Sequence, residues 1–169
     1  MKVIKLDARV SGYKGDPVRI LGLCDINTGS VLVSKTAPYN STDKPDEDTV
    51  IVTDSPETIR HWQLAYDERQ HMLEVIKTYG ENKRSGRVKL DNALLRYSPD
   101  AVVQTRKIGE SGAVYEFDSQ STENGHVAVM LMVWAASRAI RAESQSSLLD
   151  EDNSATEDDD DDGSLPFSL

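Results

Sequence analysis

From Ser144 onward the chain carries nine acidic residues, Asp150, Glu151, Asp152, Glu157, Asp158, Asp159, Asp160, Asp161 and Asp162, and neither lysine nor arginine. Such a segment has too little apolar surface to offset the entropy of ordering it, so any core must come from the residues before it. The acids are followed by Leu165, Pro166 and Phe167, a short apolar hook. The sequence therefore divides into a folding domain, residues 1–143, and an acidic tail, residues 144–169, expected to be disordered and to act through what it touches. Nine of the 29 acids lie in the tail, leaving 20 acids against 19 lysines and arginines in the domain. The net charge of −10 thus belongs almost wholly to the tail. Overall acidity does not exclude a polyanionic ligand for the domain, since phosphate contact depends on local lysine and arginine.

A domain of this size can bury a core without staples. Cys24 is the sole cysteine, which excludes an intrachain disulfide and a cysteine-based zinc site and fits a reducing compartment. The longest apolar run, residues 127–136, is half the roughly 20 residues that span a bilayer. The first residues lack the apolar stretch of a secretory signal, so a cytoplasmic protein without membrane contact is expected. His61, His71 and His126 are dispersed, and His61 and His71 stand ten apart, unlike an i, i+4 metal pair. With neither a P-loop nor a dinucleotide fingerprint, no metal, cofactor or catalytic residue is expected. The run from Val127 is a candidate oligomer contact as well as a candidate core segment.

Residues 2–10 alternate Val3, Lys5, Asp7 and Arg9 with Ile4, Leu6, Ala8 and Val10, the pattern of a strand with one wet face. Residues 18–24 and 31–35 are further strands, joined by turn chemistry at Asp25-Ile26-Asn27-Thr28-Gly29. Residues 36–48, with Pro38 and Pro45, read as a loop, and residues 49–53 as a short strand. Ser55 as N-cap and Pro56 at the first helical position predict a long helix carrying Ile59, Trp62, Tyr66, Leu73 and Ile76 and stopping at Gly80. Residues 91–97 suggest a short helix, 101–108 and 113–118 a hairpin, and 127–142 a last helix. The fold class expected is α+β, mainly β with helices. Its order matches an OB-like five-stranded barrel, with a long helix between strands 3 and 4 and a C-terminal helix.

Single-strand recognition calls for cations along the phosphates and aromatic faces for the bases. The candidates are Arg9, Tyr13, Lys14 and Arg19, then Lys35 and Tyr39, then Lys83, Arg84, Arg87 and Lys89, and last Arg106, Lys107 and Tyr115. The stretch Arg9 to Arg19 and the tail, an Asp run ahead of Leu165-Pro166-Phe167, resemble bacterial and phage single-stranded-DNA-binding proteins. That resemblance implies an OB fold, single-stranded DNA on the candidates above, and a role in replication or recombination in a bacterium or phage-infected cell. It also implies that Asp158, Asp159, Asp160, Asp161, Asp162, Leu165, Pro166 and Phe167 recruit replication and recombination proteins. Here Ser168 and Leu169 follow Phe167, a departure that leaves the partner open.

A second resemblance points elsewhere. Leu6-Asp7-Ala8-Arg9-Val10-Ser11-Gly12-Tyr13-Lys14-Gly15-Asp16, followed by Ile20-Leu21-Gly22, resembles the opening of phage terminase nuclease domains and Holliday-junction resolvases, and Ser121-Thr122-Glu123 with the helix after it resembles their final helix. It implies an RNase H-like fold in which carboxylates from several elements hold two metal ions, with Asp7, Asp16 and Asp118 as the available ligands. Where that resemblance places an acid near the start of the final helix, this chain has His126. A third alternative is a phage protein whose acidic tail occupies a host factor.

Overall fold

The computed structural model describes residues 2–39, 48–55, 63–108, 112–118 and 120–155. Two compact units are distinguished, Met1–Ser137 and Arg138–Leu169. Within the first, β1 (Val3–Val10), β2 (Val18–Asp25) and β3 (Val31–Ala37) form the antiparallel meander that their alternation predicts. Gly29, with φ 77°, supplies the left-handed turn residue between β2 and β3, and its amide bonds the Asp25 carbonyl at 2.8 Å.

The meander does not close into a barrel. β4 (Thr49–Thr53) pairs parallel with β1 on the side away from β2, and β5 (Gln63–Ala65) pairs parallel with β4. On the far side β6 (Val88–Leu90) pairs parallel with β3. The result is an open, mixed, six-stranded sheet in the order β5-β4-β1-β2-β3-β6. The expected OB barrel is thereby corrected to a mixed α/β architecture. Parallel pairing requires a crossover between strands, and both β4 and β5 precede the long helix, whereas the barrel order places a helix directly after strand 3. β7 (Val103–Ile108) and β8 (Gly112–Phe117) form the separate hairpin that their sequence predicts.

Helix α1 runs over Glu68–Arg84, later than the Ser55-Pro56 signal predicts. Ser55 is not its cap: the Ser55 hydroxyl lies 2.7 Å from that of Ser11 and bonds Asp54. Asp67 occupies the cap position instead, and its amide donates to Nδ1 of His71 at 2.9 Å, so His71 closes the first turn. Gly80 lies inside the helix, which ends at Ser85 before Gly86 at φ 75°. Residues 56–62, with His61 and Trp62, lie outside the described residues. A 3-10 segment, Asn92–Tyr97, is capped by Asp91, whose side chain accepts from the Ala93 amide.

Helix α2 spans Asn124–Ala155. From Asn124 to Ala136 every residue is buried, the signature of a helix surrounded by protein. On one side it meets the sheet at Gly22, where an added Cβ would lie 2.4 Å from Met132 Sδ and 2.6 Å from the Leu32 carbonyl oxygen. On another, Trp134 bonds Glu74 and packs its ring 5.0 Å from that of His71. The Tyr97 ring fills the space beside Gly125 and stands edge-on to His126. Leu6, Ala8, Val10, Ile20, Cys24, Val33 and Val52 complete this core. No helix among the described residues is long and apolar enough to cross a membrane.

Candidate functional site

In open sheets, ligands settle outside the carboxyl ends of parallel strands where the chain's direction of winding reverses. Here that place lies beyond β1 and β4, and the residues after each strand are tied together there. The Asp54 carboxylate, just past β4, accepts the amides of Ser11 at 3.0 Å and Gly12 at 2.8 Å, just past β1. A Cβ at Gly12 would stand 2.7 Å from that carboxylate, so a larger residue there would have to push Asp54 aside. Asn124, 1% exposed at the start of α2, accepts the Tyr13 amide at 2.7 Å and donates to the carbonyls of Gly15 and Asp16, each at 3.0 Å. One side chain thus fixes the whole β1–β2 loop against α2.

Tyr13 turns its hydroxyl inward, to Tyr66 and to the Glu68 carboxylate, with its ring edge-on to Phe117. Burial, reinforced by Glu68, raises its pKa, and burial pushes Tyr66 up to about 12. The two phenols stay protonated through the physiological range. A cleft of about 520 Å³ opens here, lined by Gly12, Tyr13, Lys14, Glu68, Glu116 and Phe117 among others. Lys14 reaches the Gln120 carbonyl, and Glu123 pairs with Arg96 at 3.5 Å. His126, buried at 5% exposure, accepts the Glu123 amide at Nδ1, and burial lowers its pKa.

Asp7 stands in the middle of β1. Leu6 and Ala8 face α2, so alternation turns Asp7 to the opposite face of the sheet. It is 1% exposed and fully engaged: Arg19 donates from Nε at 3.2 Å to each oxygen and from Nη2 at 3.0 Å, and Arg9 donates from Nε at 3.2 Å and Nη2 at 3.1 Å. A buried carboxylate is tolerated only when charge and hydrogen bonds satisfy it, and two guanidinium groups do so here. Arg19 and Arg9 are direct cross-strand partners, which is what delivers both to one carboxylate.

The three carboxylates that the nuclease resemblance nominates do not converge. Asp16 is exposed in the β1–β2 loop, and Asp118 caps the turn before α2, where Ser121 and the Gln120 amide hold its pKa down. Asp7 faces away from α2 and is committed to arginine. Among the described residues no three of His, Cys, Asp and Glu are grouped to hold a metal ion. This donor set does not fit a two-metal centre built on Asp7.

Of the predicted nucleic-acid contacts, Arg9, Arg19 and Lys35 share one sheet face, Arg9 and Arg19 being engaged with Asp7. Tyr13 and Lys14 belong to the strand-end cleft, and Tyr39 is half-buried. Lys83 and Arg84 end α1 beside a cleft of about 410 Å³, where Asp100 pairs with Lys83 and raises its pKa. Arg87 follows, exposed, in the turn to β6. Arg106, Lys107 and Tyr115 occupy β7 and β8, but their side chains lie outside the described residues, as does the tail with Asp158 to Asp162, Leu165, Pro166 and Phe167. Asp54, Glu68 and Asn124 escape sequence reasoning, and Glu123 enters it only within the stretch that resembles the final helix of terminase and resolvase domains. The clue was the polar pairs Asp54-Ser55 and Glu123-Asn124, each placed where one element gives way to the next.

No family model matches the chain, and no curated protein matches it. Among solved structures, the large terminase nuclease from thermophilic phage G20c is similar, at 11% identity and a TM-score of 0.48, over 78% of this chain and 81% of that one. The resemblance to single-stranded-DNA-binding proteins is corrected: the sheet is open, with β1 between antiparallel β2 and parallel β4, and is not the closed barrel that the resemblance implies.

Proposed function

We propose that this chain is an RNase H-like nucleic-acid-binding protein that does not hydrolyse its ligand. The fold reading rests on a meander extended beyond β1 by parallel strands, together with the likeness of residues 6–16 and 20–22 to terminase and resolvase openings. The observation that carries the non-hydrolytic reading is Asp7, whose oxygens are taken by Arg9 and Arg19. A metal ion there would have to displace the buried Arg19 and the half-buried Arg9, and like charge opposes that exchange. Lys83, Arg84 and Arg87, three cations within five residues at the end of α1, are the proposed phosphate contacts. The acidic run with Leu165, Pro166 and Phe167 is the proposed partner-recruiting segment, which a pull-down with and without residues 157–169 tests.

The test of the main reading is anisotropy of labelled single-stranded, duplex and branched DNA with the full chain, at two salt concentrations, with and without Mn²⁺, followed by a denaturing gel. Expected are salt-sensitive binding that R84E/R87E weakens at least tenfold, and intact strands with Mn²⁺. Metal-dependent cleavage by the purified chain would overturn the non-hydrolytic reading. Absence of binding to every probe would overturn the nucleic-acid reading.

A further inference from the structure

Helix α1 ends beside a cavity of about 410 Å³, which Asp100 and Val103, at the start of β7, line from the other side. That volume lies in the range of small-molecule sites, about 300–1,000 Å³. On α1, Lys77, Gly80, Glu81 and Arg84 recur at helical spacing and share one face, while Ile76 and Tyr79 line the wall beside them. Gly80 leaves this face open: a Cβ there would meet only Arg84 Nη1, at 3.2 Å. A helix interior carries glycine at a cost in stability, so the opening is not free. Tyr79 is 3% exposed, and its hydroxyl is the one buried side-chain polar group among the described residues that no hydrogen bond satisfies. Lys83, Ser98 and Asp100 stand near it without reaching bonding geometry, and since Lys83 and Asp100 also line the cavity, the hydroxyl lies at its wall. Burial, then the Asp100 charge, raises its pKa, so it remains a donor. An unmet buried donor costs free energy that a ligand acceptor recovers. Lys83 is paired with Asp100, whereas Lys77 and Arg84 are paired with no acid among the described residues.

We propose that this cavity takes one nucleoside monophosphate unit, as the phosphorylated end of a strand or as the free nucleotide. Lys77 and Arg84 meet the phosphate, whose oxygens also accept the Tyr79 hydroxyl. Glu81 and Asp100 accept from the donors of sugar or base, and Ile76 with Val103 offers apolar surface for a ring to cover. Inorganic phosphate alone would leave both acids unused and set their charge against its own. The Lys83–Asp100 pair is exposed, so it can part as the ligand reaches Tyr79 without stranding a buried charge. As a strand-end site the cavity rests on the nucleic-acid reading; as a free-nucleotide site it does not.

The experiment is a titration of the ¹⁵N-labelled full chain with thymidine 5′-monophosphate, thymidine, inorganic phosphate, and oligo-dT with and without a 5′-phosphate. Expected are amide shifts at residues 76–84 and 100–103 with the monophosphate, which should bind at least tenfold tighter than thymidine or phosphate alone. G80L, which fills the opening with a good helix former, should weaken it at least tenfold, and Y79F, which removes only the hydroxyl, about fivefold. Circular dichroism should show both variants folded. Oligo-dT that gains affinity from its 5′-phosphate, and loses that gain in G80L, assigns the cavity to strand ends; monophosphate binding without such a gain assigns it to the free nucleotide. Shifts located elsewhere, phosphate binding as tightly as the monophosphate, or unchanged affinity in the folded variants would overturn the proposal. Oligo-dT binding that ignores both the 5′-phosphate and G80L, with no monophosphate binding, would overturn the cavity's role and leave the nucleic-acid reading standing. Monophosphate binding without any oligo-dT binding would keep the cavity's role while that reading fell.

Discussion

The two faces of one sheet are built from alternate residues of the same strands, yet they are held by different physics. On the face toward α2, Leu6, Ala8, Val10, Ile20 and Cys24 are 0–1% exposed and meet a helix buried all round. Stability there comes from close packing, which is non-directional and sensitive to volume. On the other face Asp7, 1% exposed beside an equally buried Ile51, is kept by two arginines, and beyond it the surface opens to Leu23, Leu32 and lysines. One face specifies the fold by shape and the other keeps a charged centre in place beside an open surface.

The strongest way to break this comparison is Asp7→Ala. It strands Arg19, 7% exposed, without its carboxylate, and loss of one partner of a buried pair costs about 3–5 kcal/mol. The double replacement Asp7→Leu with Arg19→Met should recover most of that loss, because matched apolar groups avoid the desolvation penalty. Urea unfolding of the two variants and the unchanged chain reads the difference directly. Recovery would show that the pair satisfies itself; failure to recover would mean that the charges also support neighbouring groups.

On the packed face the corresponding change is Gly22→Ala. The new Cβ would meet both a flexible Met132 thioether, which can move, and the fixed Leu32 carbonyl, so the backbone between β2 and β3 must give. Overpacking of this kind costs about 1–3 kcal/mol. The urea midpoint should fall without a change in slope.

His126 offers a pH test of the packed side. Burial holds its pKa below 6.5 in the folded chain, so on acidification the unfolded chain takes up the proton first. The stability that His126 contributes is therefore complete above 6.5 and lost as pH falls from 6.5 through its lowered folded value. An NMR titration of the imidazole should place its midpoint below 6.5. A midpoint at or above 6.5 would mean that the first turn of α2 is open to water.

Much of the local structure was legible. Alternation marked β1 to β3, Gly29 marked their turn, and the unbroken apolar run marked α2, because each signal resides in neighbouring residues. The start of α1 was not, because Ser55 and Pro56 carry the chemistry of a helix cap while the Ser55 hydroxyl is spent on Ser11 and Asp54, 44 and one residues away. The sheet order left no local mark either, since parallel pairing of β1 with β4 depends on contacts about 44 residues apart. Asp7 illustrates the same limit at the site. In sequence it is an acid on a first strand, as a metal ligand would be, and only the register that sets Arg19 opposite Arg9 reveals its commitment to arginine.

The smallest expected effect sharpens the contrast most. Leu32 is 39% exposed on the open face, one residue from Val33, which is fully buried on the packed face. Their side chains differ by a single methylene, so intrinsic hydrophobicity predicts similar losses on truncation, whereas position predicts a wide split. Leu32→Ser should change stability by no more than about 0.5 kcal/mol, as exposed substitutions do. Val33→Ala removes buried methyl groups against α2 and should cost more than 1 kcal/mol by the transfer and cavity terms together. Urea unfolding of the pair measures both. If Leu32→Ser cost as much as Val33→Ala, Leu32 would already be covered in the isolated chain, and the open face would be no surface for a partner.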